Sequence, residues 1–225
     1  MKIYAARVCA IQAAEEKRLC ELLDSDRMVK VRTLKHQKEK ERSICAGLLL
    51  RYAFLQAGYH ENAWQQIEIE KGEYGKPQMK EYPDFHYSLS HSGEWVVCAA
   101  DAAPVGADVQ EMKPWKMQLA KRFYHREEYS RLLALGEMDT DRQTRAFYRM
   151  WTAKESVVKR TGRGIGAGVS RYVTTEDFQC VYDEAANETI HIKQYDELEG
   201  YIVCVCSESG NFPKKLELIN ITNMG

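Results

Sequence analysis

Glu155 and Lys159 lie four residues apart, one turn beyond Trp151, and this spacing places them along one side of a predicted helix. Apolar residues such as Phe147 and Val157 recur at helical spacing and predict a buried stripe beside them. A carboxylate and an ammonium held against a core are costly unless each has a partner. The pair is therefore either an ordinary ion pair on a helix flank or a site in which Glu155 holds a cation and Lys159 meets an anion.

A second carboxylate, Asp108, lies within the apolar strand predicted for residues 105–110. Aspartate is depleted in strands and costly in cores. Asp108 is thus either an edge residue that faces water or a metal ligand at the end of a strand, and both interpretations remain open. His91 presents a similar choice, because a histidine at a strand end either completes a turn or, in a cleft, binds a phosphate.

Periodicity and turn residues predict an α+β fold. The predicted strands cover residues 2–11, 63–71, 85–90, 95–100, 105–110, 172–181, 190–195 and 201–206. The predicted helices cover residues 13–23, 30–55, 112–124, 125–135 and 143–160. Each half offers a long helix followed by strands, so we expect an N-terminal lobe at 1–103, a C-terminal lobe at 104–225 and a ligand cleft between them. The glycine-rich stretch 161–166 follows a helix, which predicts a helix stop and not a dinucleotide-binding loop.

The composition is that of a globular protein, with 225 residues, 44% hydrophobic and 29% charged, and a formal net charge of −1. Any anion site must therefore be a local cluster, and the longest basic concentration lies at residues 27–51. That segment is either a solvated helix face or a phosphate cradle; nucleic-acid binding is disfavoured because no aromatic residues are interleaved with its charges. Seven dispersed cysteines without a CxxC pair argue against zinc and suit a reducing cytosol. We expect a cytoplasmic protein without a membrane segment.

Four segments, in this order and spacing, resemble the Sfp-type 4′-phosphopantetheinyl transferases. They are Gly-Lys-Pro at 75–77, Ser-Leu-Ser-His-Ser at 88–92, Gly-Ala-Asp-Val at 106–109 and Trp-Thr-Ala-Lys-Glu-Ser-Val-Val-Lys at 151–159. The segment 122–129, the N-terminus and the basic helix are also similar to that family, so the resemblance spans essentially the whole chain.

The resemblance implies a reaction, a fold and partners. The family transfers the phosphopantetheine arm of coenzyme A to a serine of an apo acyl or peptidyl carrier protein, needs Mg²⁺ and releases adenosine 3′,5′-bisphosphate. Its fold is a pseudo-twofold pair of α/β lobes with coenzyme A between them, and we expect a monomer. Fatty-acid, polyketide and peptide-synthetase carriers all remain open as partners. The alternative is a non-catalytic binder of coenzyme A or a nucleotide with the same fold.

The resemblance also assigns roles to residues. It implies catalytic roles for Asp108, Glu155 and Lys159, with Glu128 as a second candidate base, and it implies metal binding by Asp108 and Glu155. Many family members carry an acidic third ligand where this chain has Gln110, so we expect retained activity with either a weaker metal affinity or a different metal preference. The implied cofactor-binding residues are Arg27, Lys30, Arg42, Ser43, Tyr74, Gly75, Lys76, Pro77, Ser90, His91, Asp108, Glu155 and Lys159.

A carrier protein must present its serine at this cleft, and the segment after Asp108 is a candidate docking surface. Trp115, Met117, Leu119 and Phe123 lie there. The competing interpretation is that these side chains belong to the core, which we expect for Leu119 and Phe123.

Overall fold

The computed structural model describes residues 1–164 and 168–221, a mixture of helices and sheets. The helices are α1 (Ala13–Cys20), α2 (Ser25–Thr33), α3 (Gln37–Gln56), α4 (Glu61–Trp64), α5 (Met117–Phe123), α6 (Arg126–Gly136) and α7 (Thr140–Thr161). The strands are β1 (Lys2–Arg7), β2 (Ile69–Lys71), β3 (Pro77–Met79), β4 (His86–Ser92), β5 (Trp95–Asp101), β6 (Val105–Glu111), β7 (Tyr172–Thr174), β8 (Cys180–Asp183), β9 (Glu188–Tyr195), β10 (Tyr201–Ser207) and β11 (Glu217–Ile219).

All strands except β2 and β3 form two sheets, and apart from β11 each sheet takes its strands from one half of the chain. The first has the order β11-β1-β5-β4, with β11 parallel to β1 and the other pairs antiparallel. The second is antiparallel throughout, with the order β6-β10-β9-β8-β7. The short strands β2 and β3 pair only with each other, within the described residues. The first sheet therefore ends at β4 and the second at β6, and both strands contribute predicted site residues.

A long helix packs on each sheet. Helix α3 lies against β5 and buries Ile44 and Leu48. Helix α7 lies against β6 and β10 and buries Phe147 and Val157. A Cβ added at Gly106 would come within 1.9 Å of a backbone oxygen of α7, so β6 approaches this helix closely. This close approach fixes α7, which carries Glu155 and Lys159, beside the strand that carries Asp108.

Serine side chains join the two edge strands. Ser88, Ser90 and Ser92 alternate along β4 and accept hydrogen bonds from backbone amides of β6 at 2.9, 3.2 and 3.0 Å. The donors are the amides of Ala107, Val109 and Glu111. An unpaired edge amide is costly when it is buried, and these hydroxyls satisfy the outer edge of β6. Three side-chain hydrogen bonds therefore join the two sheets along this edge.

The structure confirms the strands predicted near residues 85–90, 95–100, 105–110, 190–195 and 201–206, and the helices near 13–23, 125–135 and 143–160. The single helix predicted for 30–55 is wrong, because the chain becomes extended at Leu34 with ψ 135° and divides α2 from α3. The strand predicted for 63–71 is reduced to β2, and the preceding residues form α4. The strand predicted for 172–181 is a hairpin, β7–β8. Residues 112–116 are not helical, so only α5 remains of the predicted helix 112–124.

The boundary expected between residues 103 and 104 separates most of the two sheets, but β11 returns from the C-terminal part to pair with β1. The predicted helix stop is present at Gly162, which ends α7 in a left-handed conformation with φ 74°; Ile165 and Gly166 lie outside the described residues. Within the described residues, no helix is both long enough and apolar enough to cross a membrane.

Candidate active site

Three elements carry the predicted reactive side chains to one place. Strand β4 supplies Ser90, strand β6 supplies Asp108 and Gln110, and helix α7 supplies Glu155 and Lys159. Asp108 and Gln110 point to the same face of β6 because side chains two apart in a strand do so. Glu155 and Lys159 are one helical turn apart, so both face this strand.

Asp108 is almost completely buried, with 1% of its surface exposed. Its Oδ1 accepts hydrogen bonds from Ser90 Oγ at 2.7 Å and Lys159 Nζ at 2.6 Å. Its Oδ2 accepts one from Gln110 Nε2 at 3.1 Å. Asp108 does lie on an edge strand, as one interpretation required, but the serines of β4 cover that edge. The interpretation of Asp108 as a water-facing residue is therefore wrong.

Glu155 is also buried, and its Oε1 has no hydrogen-bond partner among residues 1–164 and 168–221. Burial and, to a smaller extent, the charge of Asp108 together raise the pKa of Glu155 to about 7, although the charge of Lys159 opposes the shift. The two carboxylates are therefore close enough to repel each other. A buried, unpartnered carboxylate oxygen beside a second carboxylate suits a divalent cation with oxygen ligands.

Asp108 and Glu155 provide fewer metal-ligating side chains than a typical metal cluster. Within the described part of the chain, no group of three or more His, Cys, Asp or Glu side chains is placed to hold a metal. The third position is taken by Gln110, whose amide nitrogen points at Asp108 and orients its carboxylate. Two carboxylates still fit Mg²⁺, which commonly binds through one or two carboxylates together with substrate phosphates and water.

A pocket of about 260 Å³ opens beside these groups. Its walls come from α2, the loop between β2 and β3, strand β4 and the end of α7. The lining residues are Arg27, Tyr74, Gly75, Lys76, Pro77, Tyr87, Ser88, Leu89, Val158, Lys159, Gly162 and Gly164. Apolar and aromatic walls with a few cationic groups are typical of a nucleotide-sized ligand site.

Positive charge is concentrated around His91, next to the pocket. Burial lowers the pKa of His91, and the charges of Arg42, Lys159, Lys30 and Arg27 lower it further. Within the described residues, the buried atoms Arg42 Nε, Arg27 Nε and Ser43 Oγ have no hydrogen-bond partner, although Arg27 Nε lies 3.6 Å from Asp24 Oδ2. Unpaired cationic donors around a buried hydroxyl suit an anion such as a phosphate.

The prediction of Glu128 as a second candidate base needs correction, because the structure does not place its carboxylate with Asp108 and Glu155. Its carboxylate is fully buried and lies 2.7 Å from Lys154 Nζ. Its oxygens also accept bonds from Thr174 N, Thr174 Oγ1 and His125 N at 2.8, 2.6 and 2.9 Å. Each oxygen is thus occupied by fixed donors, which leaves no position from which Glu128 could take a proton from a substrate.

Some residues of the site were not predicted. Tyr87, Leu89 and Val158 line the pocket, and Ser88 and Ser92 join Ser90 in binding β6. The sequence did contain a signal for the serines, because they occupy every second position of a predicted strand and so share one face of it. The apolar wall residues carry no comparable signal, since apolar side chains in strands and helices usually belong to the core.

The segment after β6 presents a mixed surface. Leu119 is 42% exposed, so its expected place in the core is wrong, whereas Phe123 packs into the core as expected. Trp115 and Met117 are partly buried against the same cluster. The exposed basic residues around Leu119 are Lys113, Lys116, Lys121 and Arg122.

The fold and the site define an α+β protein in which a buried pair of carboxylates lies beside a pocket with cationic lining residues. A family model described as "4′-phosphopantetheinyl transferase superfamily" matches residues 104–208, and one described as "4′-phosphopantetheinyl transferase, N-terminal" matches residues 11–103. The chain is 31% identical to 4′-phosphopantetheinyl transferase Sfp of Bacillus subtilis (strain 168), over 98% of each chain. It is 36% identical to 4′-phosphopantetheinyl transferase psf-1 of Bacillus pumilus, over 71% of this chain and 69% of that protein. The chain belongs to the 4′-phosphopantetheinyl transferase superfamily.

Proposed function

We propose that this chain transfers the 4′-phosphopantetheine group of coenzyme A to a serine hydroxyl of an apo carrier protein, with Mg²⁺, and releases adenosine 3′,5′-bisphosphate. One observation carries the proposal. Asp108 and Glu155, which are 47 residues apart in the sequence, form a buried carboxylate pair with Lys159 alongside, next to a pocket that Arg27 and Lys159 line.

Asp108 and Glu155 would hold the Mg²⁺ ion, and Gln110 is proposed to orient Asp108 or to ligate the ion through its amide oxygen. When bound, the ion supplies positive charge that offsets the developing charge on the pyrophosphate oxygens. Lys159, which is paired with Asp108 in this structure, lies where its ammonium can exchange that partner for a pyrophosphate oxygen.

The proposed step forms a bond between the serine oxygen and the β-phosphorus and breaks the bond from that phosphorus to the bridging oxygen. Adenosine 3′,5′-bisphosphate leaves with the bridging oxygen, and the serine proton passes to a base. Glu155 is the candidate base, directly or through a water, because its Oε1 has no partner within the described residues. With Glu128 enclosed in the core, it is no longer an alternative.

The cofactor is proposed to lie with its 3′-phosphate among Arg27, Lys30, Arg42, Ser43 and His91. The purine ring would lie in the pocket, against the apolar wall of β4 and α7 and the turn from Tyr74 to Pro77. Two sheets, each backed by a long helix, support the proposal that the halves are similar lobes with the ligand at their join. Leu119 and the exposed lysines around it form the proposed docking surface for a carrier, and we propose a monomer.

The decisive experiment incubates the protein with coenzyme A, Mg²⁺ and apo carriers of the fatty-acid, polyketide and peptide-synthetase classes. A mass gain of one phosphopantetheine on at least one carrier supports the proposal. Two controls must lose that gain, a carrier with its acceptor serine changed to alanine and a reaction without Mg²⁺. Coenzyme A binding without mass gain on any of the three carriers supports the alternative, a non-catalytic binder.

A further inference from the structure

Lys76 lies in the pocket wall, and its ammonium is bound to the protein backbone. Its Nζ donates to two backbone carbonyls, Val105 O at 3.0 Å and Arg160 O at 3.2 Å. Val105 begins β6, three residues before Asp108, and Arg160 lies in the last turn of α7, one residue after Lys159. One lysine therefore contacts both elements that carry the site.

The contact with Arg160 O has a physical reason. The last carbonyls of a helix have no partner within the helix, and a cation there is stabilised by the helix dipole. Lys76 supplies this cation from outside the helix. No ion pair of Lys76 with a carboxylate is present in the described part of the chain, and burial lowers its pKa to about 8. Its role is thus to hold backbone, not to balance an acid.

The turn that carries Lys76 has few other attachments. Strands β2 and β3 pair only with each other in the described structure, so neither large sheet holds them. The turn meets α7 at Gly162, where a Cβ would lie 3.0 Å from Lys76 Cβ and 3.7 Å from Tyr74 Cβ. The left-handed Gly162, with φ 74°, allows this approach, and Arg163 stacks over the Tyr74 ring at 5.9 Å.

We propose that Lys76 is a positioning residue that fastens the Tyr74–Pro77 turn to the ends of β6 and α7, and so preforms the wall against which the purine ring of the cofactor lies. The inference rests on the proposed function, since it concerns how that site receives coenzyme A. Among the described residues, the Lys76 ammonium donates hydrogen bonds only to these two carbonyls, so we expect it to hold backbone and not to bind a phosphate. A preformed wall lowers the cost of ordering on binding, and its loss weakens binding more than it slows the chemical step.

The test replaces Lys76 by methionine, which keeps the length of the side chain and removes the ammonium. We expect the KM for coenzyme A and the Kd for adenosine 3′,5′-bisphosphate to rise about tenfold, with kcat within about twofold of the wild type. Lys71→Met, at an exposed position of the same hairpin, is the matched control and should leave all three values unchanged. The apparent Mg²⁺ affinity should also be unchanged.

Equal Kd and KM values in Lys76→Met and wild type would overturn the proposal. A fall in kcat with an unchanged KM would also overturn it, because that result would place Lys76 in the chemical step. If Lys76→Met does not fold, Lys76→Arg decides. It keeps a cationic donor on a bulkier planar group, so KM should rise without loss of kcat, and an unchanged KM again overturns the proposal. Failure of the proposed function is distinguishable, because then the wild type itself would modify no carrier.

Discussion

Helix α7 carries two lysine–carboxylate pairs five residues apart, and their surroundings differ. Lys154 and Glu128 are both fully buried, 2.7 Å apart, and every acceptor on Glu128 is used. Lys154 also donates to Tyr172 O and lies over the Tyr124 ring. Lys159 and Asp108 are 2.6 Å apart, but Lys159 is partly exposed, and the adjacent Glu155 Oε1 has no partner in the described structure. The difference is one of saturation.

A saturated polar cluster has nothing left to offer a ligand, so it serves the fold. An unsaturated buried group costs free energy in the absence of a ligand, and a ligand can recover that cost on binding. Glu155, Arg42 and Ser43 are such groups. Glu155 lies one helical turn from Lys159, which lines the pocket. The comparison thus separates the structural acid, Glu128, from Glu155, although both are buried.

The largest effect is expected when the saturated pair is broken. Lys154→Met leaves Glu128 without its counter-charge in the core, and we expect a loss of about 3–5 kcal/mol in the free energy of unfolding. Urea unfolding measures it. The variant Lys154→Met with Glu128→Gln should recover part of the loss, because a neutral amide can still accept from Thr174 N. A single variant as stable as wild type would contradict the structural assignment.

Substitution of the two acids proposed to bind the metal, Asp108 and Glu155, should have the opposite effect, with a large loss of activity and little change in stability. Asp108→Asn and Glu155→Gln are each expected to slow carrier modification on the order of a thousandfold, about 4 kcal/mol of transition-state stabilisation. Their stability should stay within about 1 kcal/mol of wild type, and Glu155→Gln should not lower it, because it removes a carboxylate buried beside another. Modification rates and urea unfolding of the same samples provide the measurements. A variant that loses stability and activity together would place its residue with Glu128.

The sequence distinguished these pairs only in part. The spacing of Glu155 and Lys159 predicted a shared helix side, and Asp108 stood out as an acid in an apolar strand. Glu128 could not be sorted, because its partners come from β7 and from α7, far away in sequence. Saturation depends on such long-range contacts, whereas sequence patterns report local periodicity.

The fold shows the same limit. Segments such as α7 and β10 were predicted well, because α7 has an apolar stripe at helical spacing and β10 is a continuous apolar run that is buried throughout. The break between α2 and α3 at Leu34 was missed, since the basic residues there suit a continuous helix equally well. Strand β11 was also missed, because it has only three residues and is defined by its pairing with β1.

A smaller effect is expected at Arg42, whose buried Nε has no hydrogen-bond partner among the described residues. Arg42→Met should weaken binding of adenosine 3′,5′-bisphosphate about tenfold, the value of one hydrogen bond to a charged group, and leave adenosine 5′-monophosphate unaffected. Calorimetric titration of both ligands gives the two affinities. Lys38→Met, at an exposed position of the same helix, is the control and should change neither. Equal losses for the two nucleotides would mean that Arg42 does not meet the 3′-phosphate.

The smallest effect is expected at Gln110, where the functional cluster is one charge short of three acids. Gln110→Glu removes the donor to Asp108 Oδ2 and adds a carboxylate on the same face of β6, so the apparent affinity for Mg²⁺ should rise a few-fold, up to about tenfold. Glu111→Gln is the matched control, because Glu111 points to the opposite face, where it pairs with Lys113 at 2.7 Å, and its loss should not alter the metal affinity. Without metal, the third carboxylate repels Asp108 and Glu155, so Gln110→Glu should also be less stable than wild type and regain stability as Mg²⁺ is added. An unchanged Mg²⁺ affinity in Gln110→Glu would contradict the expectation that Gln110 weakens metal binding. It would mean that Asp108 and Glu155 already provide all the carboxylate ligands that the ion takes from the protein.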